Sequence, residues 1–209
     1  MPTPRWVELS PGLRVDRERR LLEFDGEVAL DCHNPATPDA YLELIACSPD
    51  TREYESLIVT KVPPSLIHAG LLALGFEPGK PGAIRVVDDR IVRTPATGDT
   101  VTIEFVIERS GAERGESPLA WITDAGTRSL HLEGGWVFAG SRLVDFQGER
   151  VYDADGAGTV IGLTTFGGET IGFDRVISPE SAIDVPEWIA DPRTAPAVGT
   201  RVRVRLGPK

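Results

Sequence analysis

Through most of the chain, apolar residues fall in short runs broken by turn-forming pairs, so strand-like segments dominate the pattern. Leu21 to Leu30 has apolar positions on both sides of Asp25-Gly26, which predicts a strand, a tight turn and a second strand. A Pro-rich loop over His33 to Asp39 leads into a strand at Leu42-Glu43-Leu44-Ile45-Ala46-Cys47. Leu57-Ile58-Val59 reads as a short buried strand ended by Pro63-Pro64. One segment breaks the pattern. Ser65 suits an N-cap, Leu66 to Leu74 is apolar, and Gly75 stands where helices end in a left-handed residue. A helix apolar almost all round is predicted to be buried.

Beyond the Pro/Gly-rich loop from Pro78 to Gly82, strand composition recurs at Ile84 to Val87, Ile91 to Arg93, Val101 to Arg109, Leu119 to Ile122, Trp136 to Ala139, Val160 to Thr165 and Val202 to Leu206. Arg109 to Pro118 is polar enough to be a mobile loop. There is no second long helical pattern, no fixed repeat and no interdomain linker. The expected fold class is therefore α+β and β-rich, with mostly antiparallel sheets and one principal short helix over about residues 65–75, in one domain.

With 209 residues, 41% of all residues apolar and 26% charged, the chain is long enough to bury a core without metal or disulfide support. No apolar run approaches the ~18 residues of a spanning helix, so no transmembrane segment is expected. A net charge of −10 repels phosphate, and Lys and Arg form no stripe interleaved with aromatics, so nucleic acid is not an expected partner. Lys61, Lys80 and Lys209 are the only lysines; such an arginine bias reflects genome composition as readily as bidentate anion contacts. No apolar leader follows Met1-Pro2-Thr3-Pro4-Arg5, which leaves a cytoplasmic protein or one whose leader is absent from this sequence. A Cys32–Cys47 disulfide would close a loop of ~15 residues, worth about 3 kcal/mol. A hairpin across the 33–40 loop, however, would carry Cys47 several residues past the position opposite Cys32.

The densest polar stretch is Arg52-Glu53-Tyr54-Glu55-Ser56, where alternation along an extended segment would turn Glu53 and Glu55 to one side. Two carboxylates driven to different pKa values could do acid/base work, with Ser56 and His68 nearby. Gly140-Ser141-Arg142, at the predicted end of a strand, could offer backbone N–H groups and a guanidinium to an anion. Asp153-Ala154-Asp155-Gly156-Ala157-Gly158 has oxygen ligands but fails the calcium-loop pattern, since Val151 and Gly162 occupy its first and last ligand positions; a hairpin turn accounts for it. Asp31-Cys32-His33 with Cys47 and His131 carries zinc-capable atoms without paired short spacings. Two cysteines cannot hold an iron–sulfur cluster. No cofactor and no metal is expected.

Three segments, in one order over roughly residues 15–206, resemble the YdjY-domain family, particularly the forms common in planctomycete-type bacteria. They are Val15-Asp16 through Leu22 to Val28; the leucine-glutamate strand with its cysteine, Thr51 to Ser56, Ile67 to Leu72 and Glu77-Pro78-Gly79; and Trp136 to Arg142 followed by an aspartate-glycine hairpin and Thr164-Thr165-Phe166. The resemblance implies a single domain over 15–206 with residues 1–14 as an extension. It also implies a periplasmic or secreted protein, because members generally carry secretion or lipoprotein leaders, and it supplies no activity. The family loop usually reads Glu-His-Glu-Ser. Here Tyr54 replaces the histidine, whereas His68 matches.

The expected function is a non-enzymatic binding or scaffold domain of the cell envelope, with an unidentified ligand or envelope protein as partner. An alternative is a metal-independent, hydrolase-like enzyme using Glu53, Glu55, Ser56 and His68. A metal-binding protein is the third reading. The candidate ligand-binding residues are Arg52, Glu53, Glu55, Ser56, His68, Ser141 and Arg142.

Overall fold

The computed structural model describes residues 4–36, 39–109, 111–129 and 132–209. In chain order the strands are β1 (Val7–Ser10), β2 (Leu13–Asp16), β3 (Leu21–Val28), β4 (Leu44–Cys47), β5 (Ser56–Val59), β6 (Ala83–Val87), β7 (Arg90–Thr94), β8 (Thr100–Arg109), β9 (Ala112–Glu116), β10 (Ile122–Asp124), β11 (Trp136–Val137), β12 (Leu143–Phe146), β13 (Glu149–Tyr152), β14 (Thr159–Gly162), β15 (Gly172–Phe173), β16 (Trp188–Ala190) and β17 (Arg201–Pro208). The α-helices are α1 (Pro64–Ala73) and α2 (Asp153–Ala157), with 3-10 turns at Glu53–Glu55 and Pro118–Trp121. The fold is β-rich α+β with mostly antiparallel sheets, as expected.

Eleven strands form one sheet, running β14-β4-β5-β3-β17-β8-β11-β15, with β2 sharing an edge of β3 with β5, β1 on β2, and β9 on β8. Among these ladders only β4–β5 is parallel. Strands β3, β17 and β8 are its centre, and their alternation gives the sheet two unlike faces. Leu22, Phe24, Val202, Val204, Leu206, Ile103, Phe105 and Ile107 turn inward to the core. Helix α1 packs on that side so closely that a Cβ on Gly70 would lie 2.5 Å from Leu22 Cδ1.

The outer face carries a row of charges across four strands. Arg14, Glu23, Arg205 and Glu104 are successive register partners on β2, β3, β17 and β8. Both arginines donate to Glu23, Arg205 also donates to Glu104, and the Trp6 ring lies beside the Arg14 and Arg205 guanidinium carbons at 4.7 and 5.8 Å. Glu23 is thereby only 1% exposed although it points away from the core.

Several expectations are corrected. Asp25-Gly26 makes no turn: β3 runs straight through it, Glu23, Asp25 and Glu27 all facing outward, and the glycine is needed because a Cβ there would lie 2.6 Å from Ile58 Cγ2. No hairpin spans the 33–40 loop either. Strand β4 pairs with β5 and β14, so Cys47 is buried in the sheet away from Cys32 and both thiols are free. The Arg109 to Pro118 stretch folds back as β9 on β8. Leu119 to Ile122 opens as a 3-10 turn capped by Ser117 before the short β10.

Asp153 to Gly158 is no hairpin turn but the helical turn α2, closed by Gly158 at φ 71°; β13 pairs with β12, and β14 with β4. Helix α1 begins at Pro64, so Ser65 lies inside it and cannot cap it. The Ser65 N–H instead donates to Asp155 Oδ1 at 2.8 Å, an acidic cap supplied from α2. Gly75 does end the helix, at φ 77°, with the Phe76 N–H reaching Leu71 O and Arg20 donating to Leu74 O and Gly75 O. The helix is not buried all round, since Leu66 and Leu72 are exposed.

Glu23→Gln leaves two guanidinium groups facing a neutral amide. Its expected cost is about 2–3 kcal/mol in urea unfolding, below that of a fully buried pair because both arginines are partly solvated. Glu104→Gln, at the rim of the row, is expected to cost under about 1 kcal/mol. Equal effects would mean that the row is not anchored on Glu23.

Candidate functional site

Strands β4 and β5 are parallel neighbours, so the polar segment 48–55 has to carry the chain back to the starting end of β4, and the 3-10 turn Glu53–Glu55 completes that return. This turn replaces the extended segment expected here and sends the two glutamates to different places. Glu53 folds back onto its own loop and accepts the N–H groups of Asp50 and Thr51 at 2.6 and 2.9 Å. Slight burial opposes its charge, but these donors outweigh it and hold the carboxyl below its ordinary value. Ser56 is fully buried, and its hydroxyl donates to Ile58 O at 2.9 Å.

Glu55 turns instead toward Glu43, which precedes β4. Arg52 Nη1 lies 3.1 Å from Glu43 Oε2 and 3.8 Å from Glu55 Oε2, and its guanidinium carbon sits 4.5 Å from the Phe166 ring centroid. Burial, and then the Glu55 charge, push the Glu43 carboxyl up to about 7, against the attraction of Arg52. Glu55 Oε2 is buried and meets no fixed donor. A proton on Glu43 would supply that donor, through the side-chain hydrogen bond between the two carboxyl groups. They line one side of a cleft of about 460 Å³ whose other side includes Arg93, Arg175, Asp184 and Glu187.

His68 lies elsewhere. From α1 its Nδ1 is 3.0 Å from the Tyr152 hydroxyl, which donates to Gly140 O at 3.1 Å and lies 3.1 Å from Thr170 Oγ1. With the phenol proton committed to Gly140, the imidazole N–H points at the phenol oxygen. The His68 ring meets Phe138 and Tyr152 edge-on at 4.9 and 5.4 Å. Burial lowers its pKa against a smaller opposing effect of Gly140, and burial pushes the Tyr152 phenol up to about 12, so the pair stays neutral.

The Gly140-Ser141-Arg142 backbone has no free donors for an anion at its first two residues, because the Gly140 and Ser141 N–H groups go to Thr170 O and Glu169 O. Ser141 Oγ donates to Gly168 O and Arg142 pairs with Asp153. Thus Arg52 and Glu55 come together, Glu53 and Ser56 serve their own loop, and His68, Ser141 and Arg142 tie loops to one another. A larger hollow of about 610 Å³ on the outer sheet face takes Glu53 into its lining, beside Lys61 and Arg201. His131 lies outside the described residues; among those described, no three metal-capable side chains converge, and His33 Nε2 is 2.9 Å from Ala195 O.

Sequence reasoning missed Glu43, Phe166, Tyr152 and Glu169. Glu43 had a signal, being one charge inside an apolar strand-like run. Glu169 had another, two glycines before a glutamate. Its 1% exposed carboxylate accepts the Gly168 N–H at 3.0 Å; burial raises its pKa while backbone N–H groups from residues 166 to 169 lower it.

Because the native Glu43 carboxyl holds its proton more tightly than the unfolded one, stability falls as pH rises from about 4.5 to 7, by at most about 3 kcal/mol. Glu43→Gln is therefore expected to gain on the parent protein between pH 5 and pH 8 in urea unfolding; parallel curves would refute the raised Glu43 carboxyl. Ser56→Ala is expected to cost about 1–2 kcal/mol through the stranded Ile58 carbonyl. Glu55→Ala is expected to be neutral or stabilising at pH 8, and a large loss there would make it a structural clamp.

Neither the curated proteins nor the solved structures give a match to this chain. The profile of the YdjY domain does, over residues 13–207, from the start of β2 to all but the last residue of β17. The chain belongs to the YdjY domain family.

Proposed function

We propose that the chain is a non-enzymatic binding domain acting outside the cytoplasm, periplasmic or secreted, with its ligand in the cleft beside Glu43 and Glu55. The observation that carries this is the separation of the side chains a hydrolase would need. Ser56 donates to Ile58 O, His68 is bonded to Tyr152, and Glu53 accepts from its own loop, so neither His68 nor Glu53 is paired with the buried hydroxyl. What remains at the cleft is the Glu43 and Glu55 pair, held from beside it by Arg52, a set that presents donor and acceptor groups to a ligand with neither Ser56 nor His68 beside it. The location rests on the resemblance to leader-bearing family members.

The test is a thermal-shift panel of amino acids, oligosaccharides and cell-wall fragments, read against Arg52→Ala and Glu55→Ala, with ester, amide and glycoside substrates assayed in parallel. A stabilising compound whose effect both variants lose is the expected result. Turnover abolished by Ser56→Ala in a variant that still folds would refute the reading. Fractionation of cells expressing the native gene checks the location.

A further inference from the structure

The outer face of the central sheet repeats one charge pattern with two different outcomes. At one level Arg205 of β17 stands between Glu23 of β3 and Glu104 of β8 and bonds to both. Four residues back along β17, Arg201 stands across from Glu27 of β3, with Glu108 of β8 two residues past Val106, the partner of Arg203. Here no ion pair forms. Among the described residues Asp25, Glu27, Lys61, Glu108 and Arg201 make no side-chain hydrogen bond or ion pair, whereas in the same hollow Glu113 holds Arg203 at 2.6 Å and Glu53 accepts from its own loop. The hollow measures about 610 Å³, within the range of small-molecule sites, and Val59 and Val106 add apolar surface to its lining.

The order of these free charges across the sheet selects the occupant. Lys61 follows Thr60, whose hydroxyl donates to Asp25 O at 2.6 Å, so it lies beside β3 on the side away from β17. From β5 across β3 and β17 to β8 the free groups therefore run Lys61, then Asp25 and Glu27, then Arg201, then Glu108, on neighbouring strands about 4.8 Å apart. An anion alone would meet three carboxylates, and a cation alone would meet the lysine and the arginine. A compound with an ammonium and a carboxylate satisfies both signs, the ammonium over Asp25 and Glu27 and the carboxylate toward Lys61 or Arg201. We propose that this hollow is a second ligand site, separate from the Glu43–Glu55 cleft, and that it takes a zwitterion of amino-acid to dipeptide size. The 48–55 segment borders both sites, with Pro49 and Glu53 at the hollow and Glu55 at the cleft.

Titration of isotope-labelled protein with alanine and with alanyl-alanine is expected to move backbone amide resonances at residues 25–27, 59–61 and 201–203, the tighter of the two probes setting the length of the site. The N-acetyl and amide forms of each probe, which keep one charge, are expected to bind at least about fivefold more weakly. Glu27→Gln and Arg201→Gln alter exposed, unpaired side chains, so both are expected to keep the thermal midpoint and to weaken binding by a similar factor. Resonances that move with neither zwitterion, equal binding of the one-charge forms, or an unchanged affinity in either variant overturns the proposal. So do shifts centred on Glu43 and Glu55, which would place the zwitterion in the cleft.

Discussion

The register of β3 between its neighbours is the constraint on which the rest of the molecule depends. A slip by one residue would turn Phe24 to solvent and drive Glu23 into the core. Both penalties act together, because the inner face is closed by α1 and the outer face binds Glu23 between Arg14 and Arg205. Gly26 extends the same constraint to β5, whose Ile58 occupies the space a side chain would need. Once β3 is fixed, β5 and then β4 follow, and the loop between them is held where Glu55 meets Glu43.

Three carboxylates are withdrawn from water, each stabilised by different chemistry. Glu23 keeps its place with two guanidinium groups across the sheet. Glu169 is met by backbone N–H groups from its own glycine-rich loop, although burial outweighs them and still raises its carboxyl above the ordinary value. Glu43 has a second carboxylate as neighbour and a single shared arginine, and its remaining means is to hold a proton. The first two arrangements are complete without a ligand. The third leaves Glu55 Oε2 buried without a hydrogen-bond donor at the edge of a cleft, and that is the ground of the proposed binding role.

Much of this was legible in the chain. The helix, its glycine stop, the β6–β7 ribbon and the long β8 and β17 strands follow from local patterns that packing does not overrule. The errors share a cause: Asp25-Gly26, Asp153 to Gly158 and Arg109 to Pro118 all carry turn chemistry whose outcome was decided by a distant partner. Ile58 accounts for the glycine in β3, the α1 N-terminus takes the Asp155 cap, and β8 takes β9 as its edge. The site divided likewise. The Arg52 to Ser56 loop announced itself by density of polar residues, but Glu43 comes from another segment, and the choice between Glu53 and Glu55 was made by one 3-10 turn.

The same reasoning explains why the matched His68 belongs to architecture. It sits where α1, the Gly140 loop and the strand ending at Tyr152 meet, and burial holds it uncharged against phenylalanine and tyrosine rings. Half-burial against those rings disfavours a charged imidazole, so the residue works as a neutral hydrogen-bonding wedge. With Asp155 capping α1 from α2, and Ser141 and Arg142 holding the 153–168 segment, the helix and the loops around it form one cross-linked unit. That unit fixes Gly168 and its neighbours Phe166 and Glu169. It thereby helps to seat the aromatic ring under Arg52, so side chains far from the cleft set the geometry of the guanidinium that the carboxylate pair shares.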